Sequence, residues 1–316
     1  MFSRPPKSYL DRLSKETDFN RAAIEKAYRL LAIVKDMDAA TGLAERLALK
    51  GGTAIQFAYL GMRRLSVDID LNYVGSYEKE VMERERLEIR GLLGNLLGAH
   101  DYRLDKPRSM YLEEQFELGY TTASGSTDKL KVEINYGERL PVFGLERVAF
   151  GHPFDEIGPV ECVSYSYEEI MAQKVRALVS RGTARDLYDV WLFASGGRKH
   201  DQKTFRKLFV FYMVLNKDDT RKATDQKIRD ITKDDVKRFL VPMLRRRDHG
   251  IDLEAMRTPV LDYVNGLLEF DKAESKFLDK FYDERVFDQV LLFGDIPVKP
   301  DLSKHPMVQW RLQGSK

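Results

Sequence analysis

The chain has 316 residues, of which 43% are hydrophobic and 32% charged, and a net charge of only +2, so it can bury a sizeable core as one large or two moderate domains and any basic surface must be local. Its single cysteine, Cys162, excludes an internal disulfide or a cysteine metal cluster and points to a reducing compartment, while histidines at 100, 152, 200, 249 and 305 lack the spacing of a zinc site. No basic-then-apolar leader and no apolar run near the ~18 residues of a membrane span is present, which leads us to expect a soluble, cytoplasmic protein.

In chain order, residues 8–49 read as two helices, at 22–37 and 39–49, with Arg21, Lys26, Arg29 and Lys35 on the wet face. Next comes Lys50-Gly51-Gly52-Thr53-Ala54-Ile55, a glycine pair that opens an apolar stretch through Phe57, Ala58, Tyr59 and Leu60. Glycines let backbone N–H groups approach an anion closely, and a helix starting there adds its dipole; the same tripeptide also fits a plain turn. Residues 64–71, Arg64-Leu65-Ser66-Val67-Asp68-Ile69-Asp70-Leu71, alternate polar and apolar. A single strand would send Leu65, Val67, Ile69 and Leu71 into a core and gather Arg64, Ser66, Asp68 and Asp70 on the opposite face. Two adjacent carboxylates suit a hard divalent cation such as Mg²⁺, which leaves positions for substrate phosphates and so points to phosphoryl or nucleotidyl transfer. An ordinary half-buried strand with a solvated charged face would show the same alternation.

A helix is expected over about 79–97, then a strand pair over 101–121 and 127–136 with Ser124-Gly125-Ser126 as the hairpin turn. In residues 130–136, Lys131, Glu133 and Asn135 share one face and Val132 and Ile134 the other. Glu133 would thus serve as a third carboxylate if its strand neighbours the Asp68–Asp70 strand, or simply pair with Lys131 or Arg139. Pro153, Gly158 and Pro159 punctuate the exit from this region, and helical periodicity dominates from about 160 onward, which sets the expected division at 1–160 and 161–316.

Ser166-Tyr167-Glu168-Glu169 has capping-box spacing and starts a helix on which Ile170, Lys174 and Leu178 form one stripe. Lys174 either snorkels from that stripe to water or directs its charge at a phosphate. Gly182 is a candidate C-cap, and residues 185–194 form a second helix with Leu187, Val190, Trp191 and Ala194 inward. Asp186 and Asp189 share a face, and Arg185 with Asp189 has the spacing of a weak exposed ion pair. Cations at Arg198, Lys199, Lys203, Arg206 and Lys207 and at Arg245-Arg246-Arg247 suit an RNA phosphate surface or a solvated helical face interrupted by aspartates; Phe205, Phe209 and Phe211 read as helix core.

The order Gly51-Gly52-Thr53, Arg64-x-Ser66-x-Asp68-x-Asp70-Leu71, Lys131-Val132-Glu133-Ile134, then the helix 169–178 and Arg185-Asp186-Leu187-Tyr188-Asp189-Val190, resembles the DNA polymerase β-type nucleotidyltransferase superfamily. More narrowly it resembles the AbiEii/AbiGii toxin family of abortive-infection and toxin–antitoxin systems. The resemblance spans residues 50–190. It implies an α+β fold, with a polymerase β-like domain built on a mixed sheet, then a mainly α-helical domain that completes the active site. It also implies transfer of a nucleoside monophosphate from an NTP, with Asp68, Asp70 and Glu133 holding two Mg²⁺ ions, or Mn²⁺. In it Gly51, Gly52, Thr53, Arg64, Ser66 and Lys174 bind the NTP, and Asp186 and Asp189 are needed for activity, their separate roles undetermined. Glu133 departs from the Asp of many superfamily members but is long enough to ligate. Several members of the toxin family modify the tRNA 3′ end, which makes tRNA the leading acceptor and an antitoxin the expected partner. A protein or small-molecule acceptor on the same fold, or a non-catalytic NTP-binding module, are the alternative readings.

Overall fold

The computed structural model describes residues 4–100, 102–196 and 199–314, so Arg198 and residue 101 lie outside the described residues. The chain folds into two compact units. Residues 1–139, 145–165 and 241–250 make the first, and residues 140–144, 166–240 and 251–316 the second. The first is therefore not a single stretch ending near 160, because ten later residues belong to it.

Unit 1 is a mixed sheet with flanking helices, an α+β architecture. Two helices, α1 (Lys7–Thr17) and α2 (Arg21–Ala39), precede the first strand, β1 (Leu47–Lys50). The helix expected at 39–49 does not form. Gly42 turns the chain with φ of 84°, and Leu47–Lys50 pairs antiparallel with β2 (Asp68–Tyr73), so tertiary pairing overrides helical periodicity. After β1 the chain enters α3 (Gly51–Ala54), which continues as a π-turn through Ile55–Tyr59. Then come β2, α4 (Lys79–Gly98), the short β3 (Arg103–Leu104) and β4 (Arg108–Ser109), and the hairpin β5 (Glu113–Thr121) and β6 (Thr127–Asn135). Two strands absent from the sequence reading, β7 (Leu145–Ala149) and β8 (Glu161–Tyr165), complete the unit. The sheet runs β3-β5-β6-β2-β1-β8-β7, with β4 added on β5. β2 lies parallel to β6, and β1 parallel to β8.

One sheet face is a hydrophobic core. Leu49, Ile69, Leu71, Phe116, Val132 and Ile134 are buried, and α2 supplies Val34 and Met37 against Leu49, Leu71 and Cys162. Glu114 also points to this side, fully buried, and is neutralised from α4 by Arg90 at 2.5 Å. Arg29, expected on the wet face of its helix, is buried and paired with Glu25 at 2.9 Å. The strand expected at 64–71 begins only at Asp68: Arg64 instead forms an isolated bridge with Leu244, and Leu65 N–H donates to Met243 O at 2.8 Å. Arg245 and Arg246 act nearby, donating to Met62 O and to Ser14 Oγ. They tie chain segments together, while Arg246 and Arg247 remain exposed.

Unit 2 is helical. Ser166 caps α5 (Tyr167–Arg181), Gly182 ends it in the left-handed region, and Thr183 caps α6 (Ala184–Ala194). Next is α7 (Gln202–Val214), whose Phe205, Phe209 and Phe211 are fully buried. The Ser166 side chain caps the Glu169 N–H, and the Glu169 carboxylate accepts from Val142 N–H at 2.7 Å, Phe143 N–H at 3.1 Å and Tyr212 O–H at 2.6 Å. In this way a helix start also fastens the segment 140–144 and α7. Most of the cations around 203–207 are similarly engaged, Lys203 with Asp295, Arg206 with Glu274, and Lys207 with Asp271 and Glu274.

Candidate active site

β1 delivers Gly51 and Gly52 to the polar face of the sheet. Gly51 has φ of 71°, a conformation strained for any residue with a Cβ, and an added Cβ would stand 2.3 Å from Asp70 Oδ2. At Gly52 the added Cβ would meet Arg64 Nη2 and Ser66 Oγ, both at 2.9 Å. The glycine pair is therefore packed directly against three of the residues singled out in the sequence, at the point where a helical segment begins. Arg64 and Ser66 are buried, although neither lies in the strand. Arg64 is steadied by its backbone N–H on Gln56 Oε1 at 3.1 Å and its Nη1 on Leu65 O at 3.0 Å. Thr53 is fully buried, and its hydroxyl donates to Asp68 O at 2.6 Å. Its side chain thus positions the first residue of β2, and only its backbone is left for an anion.

Strand register assembles the carboxylates. Asp68 stands opposite Lys131, and Asp70 opposite both Glu133 on β6 and Lys50 on β1. Because ladder partners share a face, Asp68, Asp70, Lys131, Glu133 and Lys50 all point the same way. Glu133 neighbours Asp70 in the ladder, and its Oε2 bonds Lys131 Nζ at 2.6 Å, the ion pair expected from the sequence. Burial pulls the Lys131 ammonium toward neutrality, but the bond to Glu133 and the charges of Glu133, Asp68 and Asp70 outweigh it and hold its pKa above the ordinary lysine range.

Glu113, which the sequence reading passed over, belongs to the same cluster. Burial and the Glu133 carboxylate raise its pKa, against Lys131 and Lys50. Its alternating strand offered a signal, since 113, 115 and 117 share the parity that faces Glu133. Lys50 also approaches Glu138, at 3.8 Å.

In unit 2 the two remaining motifs form a second polar centre. Lys174, nearly buried, places Nζ 2.8 Å from Asp186 Oδ1 and 3.3 Å from Asp189 Oδ2. It does not snorkel to water. Asp186 also receives Arg181 Nε at 2.8 Å. Burial alone would raise the Asp186 pKa, but Lys174 and Arg181 overcome it and hold the carboxyl well below the usual range. Both aspartates orient Lys174, and Asp186 additionally orients Arg181.

Residues 34–264 match the family described as nucleotidyl transferase AbiEii toxin, type IV TA system. The chain belongs to the AbiEii nucleotidyltransferase toxin family. This membership makes it a nucleotidyltransferase toxin of the type IV toxin–antitoxin class and implies a cognate antitoxin partner. No curated protein matches the sequence. The fold is similar to that of MenT4, a nucleotidyltransferase toxin from Mycobacterium tuberculosis H37Rv, with a TM-score of 0.60 and 20% identity over 82% of this chain and 88% of that one. No helix among the described residues is long and apolar enough to cross a membrane.

In this AbiEii-family chain the donors offered to a cation are hard carboxylate oxygens on one sheet face, the type that Mg²⁺ or Mn²⁺ prefers. Among the described residues no three His, Cys, Asp or Glu side chains are gathered into a ready metal cage. Glu133 stands bonded to Lys131, so the fit is one of donor chemistry and register.

Proposed function

We propose that this chain transfers a nucleoside monophosphate from an NTP to an acceptor hydroxyl with Mg²⁺ as its metal, the tRNA 3′ end being the leading acceptor, in the cytoplasm. The observation that carries the site assignment is the packing of Gly51 and Gly52 against Asp70, Arg64 and Ser66. Glycine is required there because any side chain would occupy the space above the carboxylate. A triphosphate would lie along the backbone N–H groups of Gly51, Gly52 and Thr53, with Ser66 and Arg64 supporting the loop from beneath.

Asp68 and Asp70, with Glu133, would hold the cations; bound Mg²⁺ supplies activation of the attacking oxygen and charge stabilisation on the departing pyrophosphate. The acceptor oxygen forms its bond to the α-phosphorus as the bond from that phosphorus to the bridging oxygen of pyrophosphate breaks. Lys174, aligned by Asp186 and Asp189, is assigned to neutralise phosphate charge that builds during transfer. Support for tRNA comes from the toxin-family resemblance, not from a basic surface, because most of the arginines and lysines of the two cation clusters are engaged in intramolecular contacts.

The test is incubation of purified protein with Mg²⁺, each α-³²P-labelled NTP and total tRNA, comparing wild type with Asp68→Ala. Label on tRNA that disappears in the variant is the expected result. Undiminished transfer by a folded Asp68→Ala protein would remove Asp68 from the site, and label confined to protein or small molecules would move the acceptor.

A further inference from the structure

We propose that Lys131 is a built-in counter-ion for the carboxylate face, bound there when no divalent cation is present and displaced when one binds. The inference rests on the metal-binding role proposed above for Asp68, Asp70 and Glu133, and goes beyond it by assigning a competitor for that site.

The argument begins with the sheet. Asp68 and Asp70 lie two residues apart on β2, and Glu133 is in register with Asp70 on the neighbouring parallel strand. Strands about 4.8 Å apart bring such carboxylates close enough to repel. A cation is needed to hold this face together, and the chain carries its own. Lys131 is in register with Asp68 and two residues from Glu133 on the same strand, so it shares their face, and its Nζ lies 2.6 Å from Glu133 Oε2. The other cations nearby have additional or different neighbours. Lys50, in register with Asp70, approaches Glu138 at 3.8 Å, and Lys129 is bonded to Glu117 at 2.7 Å.

This placement explains why three carboxylates on one face do not stand as a finished metal cage. The oxygen that a divalent ion would take from Glu133 is already bonded to an ammonium. A charge-assisted hydrogen bond of this kind is among the stronger contacts available to a carboxylate, so a cation must compete for it. The consequence is a site whose metal affinity is set partly by the cost of moving one lysine. Once displaced, the Lys131 ammonium becomes a free cation beside the bound ion, on the side where an anionic substrate would approach.

The experiment is calorimetric titration of the full chain with MnCl₂ alone, comparing wild type, Lys131→Met and Asp68→Ala, with thermal melts of each with and without the metal. Removal of the competitor predicts at least tenfold tighter Mn²⁺ binding by Lys131→Met and a larger rise in its melting temperature on adding Mn²⁺ than wild type shows. Equal or weaker binding by Lys131→Met, with wild type binding and Asp68→Ala not, overturns the counter-ion role and leaves the metal site standing. No binding by folded wild type or Lys131→Met overturns the metal site itself, and the counter-ion role with it. Should Lys131→Met fail to fold, lysine ammonium NMR of the wild type decides the matter. The Lys131 resonance, assigned by its absence from Lys131→Arg, must shift on saturation with Mg²⁺, and an unmoved resonance overturns the proposal.

Discussion

Gly51 and Asp70 occupy one space: a methyl group on the first would lie 2.3 Å from a carboxylate oxygen of the second. The glycine is thereby tied to the carboxylate as well as to its own φ of 71°. Gly51→Ala has to displace the Asp70 side chain and to hold alanine in the left-handed region, at a backbone cost of about 1–2 kcal/mol. The fold should survive with a lower melting temperature, while nucleotidyl transfer falls by two orders of magnitude or more. Circular dichroism melts beside the labelled-NTP assay separate the two effects; full activity in Gly51→Ala would show that Asp70 need not stand where it does.

Lys174, Asp186 and Asp189 are all buried and ion-paired, so removing one member takes a partner from at least one of the others. Asp189→Ala deletes the fully buried carboxylate 3.3 Å from Lys174 but leaves Asp186 at 2.8 Å, and should cost about 1–3 kcal/mol in urea unfolding. Asp186 adds a pH signature. Its pKa is lowered in the folded state, so its contribution is complete above the unfolded carboxylate value of about 3.9 and is lost as pH falls toward the folded one. Wild type should therefore lose stability below about pH 4 more steeply than Asp186→Asn does. Parallel acid limbs for the two proteins would contradict the ion pair.

Two glycines with positive φ separate conformational strain from crowding. Gly182, at φ of 61°, would place a Cβ 2.2 Å from the Lys227 carbonyl oxygen, whereas Gly125, at φ of 89° in the β5–β6 turn, has nothing within 4 Å. Alanine at 125 should cost about 1 kcal/mol, and alanine at 182 clearly more, because a backbone atom has to move. Equal losses in chemical denaturation would mean that the two turns yield equally.

Cys162 is buried under α2, and burial pushes its thiol up to about 12. Since the thiolate is the reactive form, iodoacetamide at pH 8 should label native protein far more slowly than urea-unfolded protein. Rapid labelling of the native state would place this thiol in contact with solvent.

Much of the candidate site was legible because it is written in short local patterns. Period-two alternation put Asp68 and Asp70 on one face, and Lys131 and Glu133 on another strand's face, while the apolar partners Ile69, Leu71, Val132 and Ile134 are all buried. Ser166 and Gly182 cap α5 because N-cap hydroxyls and left-handed glycines act within a few residues of themselves. What misled was equally local: residues 39–49 carry a helical period, yet Leu47–Lys50 is a central strand because β2 and β8 lie on either side of it.

By itself, then, the sequence determined the motif order, the parity of each strand and the family to which the chain belongs. Only tertiary structure decided that Arg64 sits outside the strand, held by a bridge to Leu244, 180 positions along the chain. It also decided that Glu113 joins Glu133, that Glu169 fastens residues 142 and 143, and that Lys174 is shared by two aspartates. The physical reason is range. Side-chain parity and caps follow from backbone geometry over a few residues, whereas the partner of a buried charge is set by which distant segments pack together, and no local period encodes that.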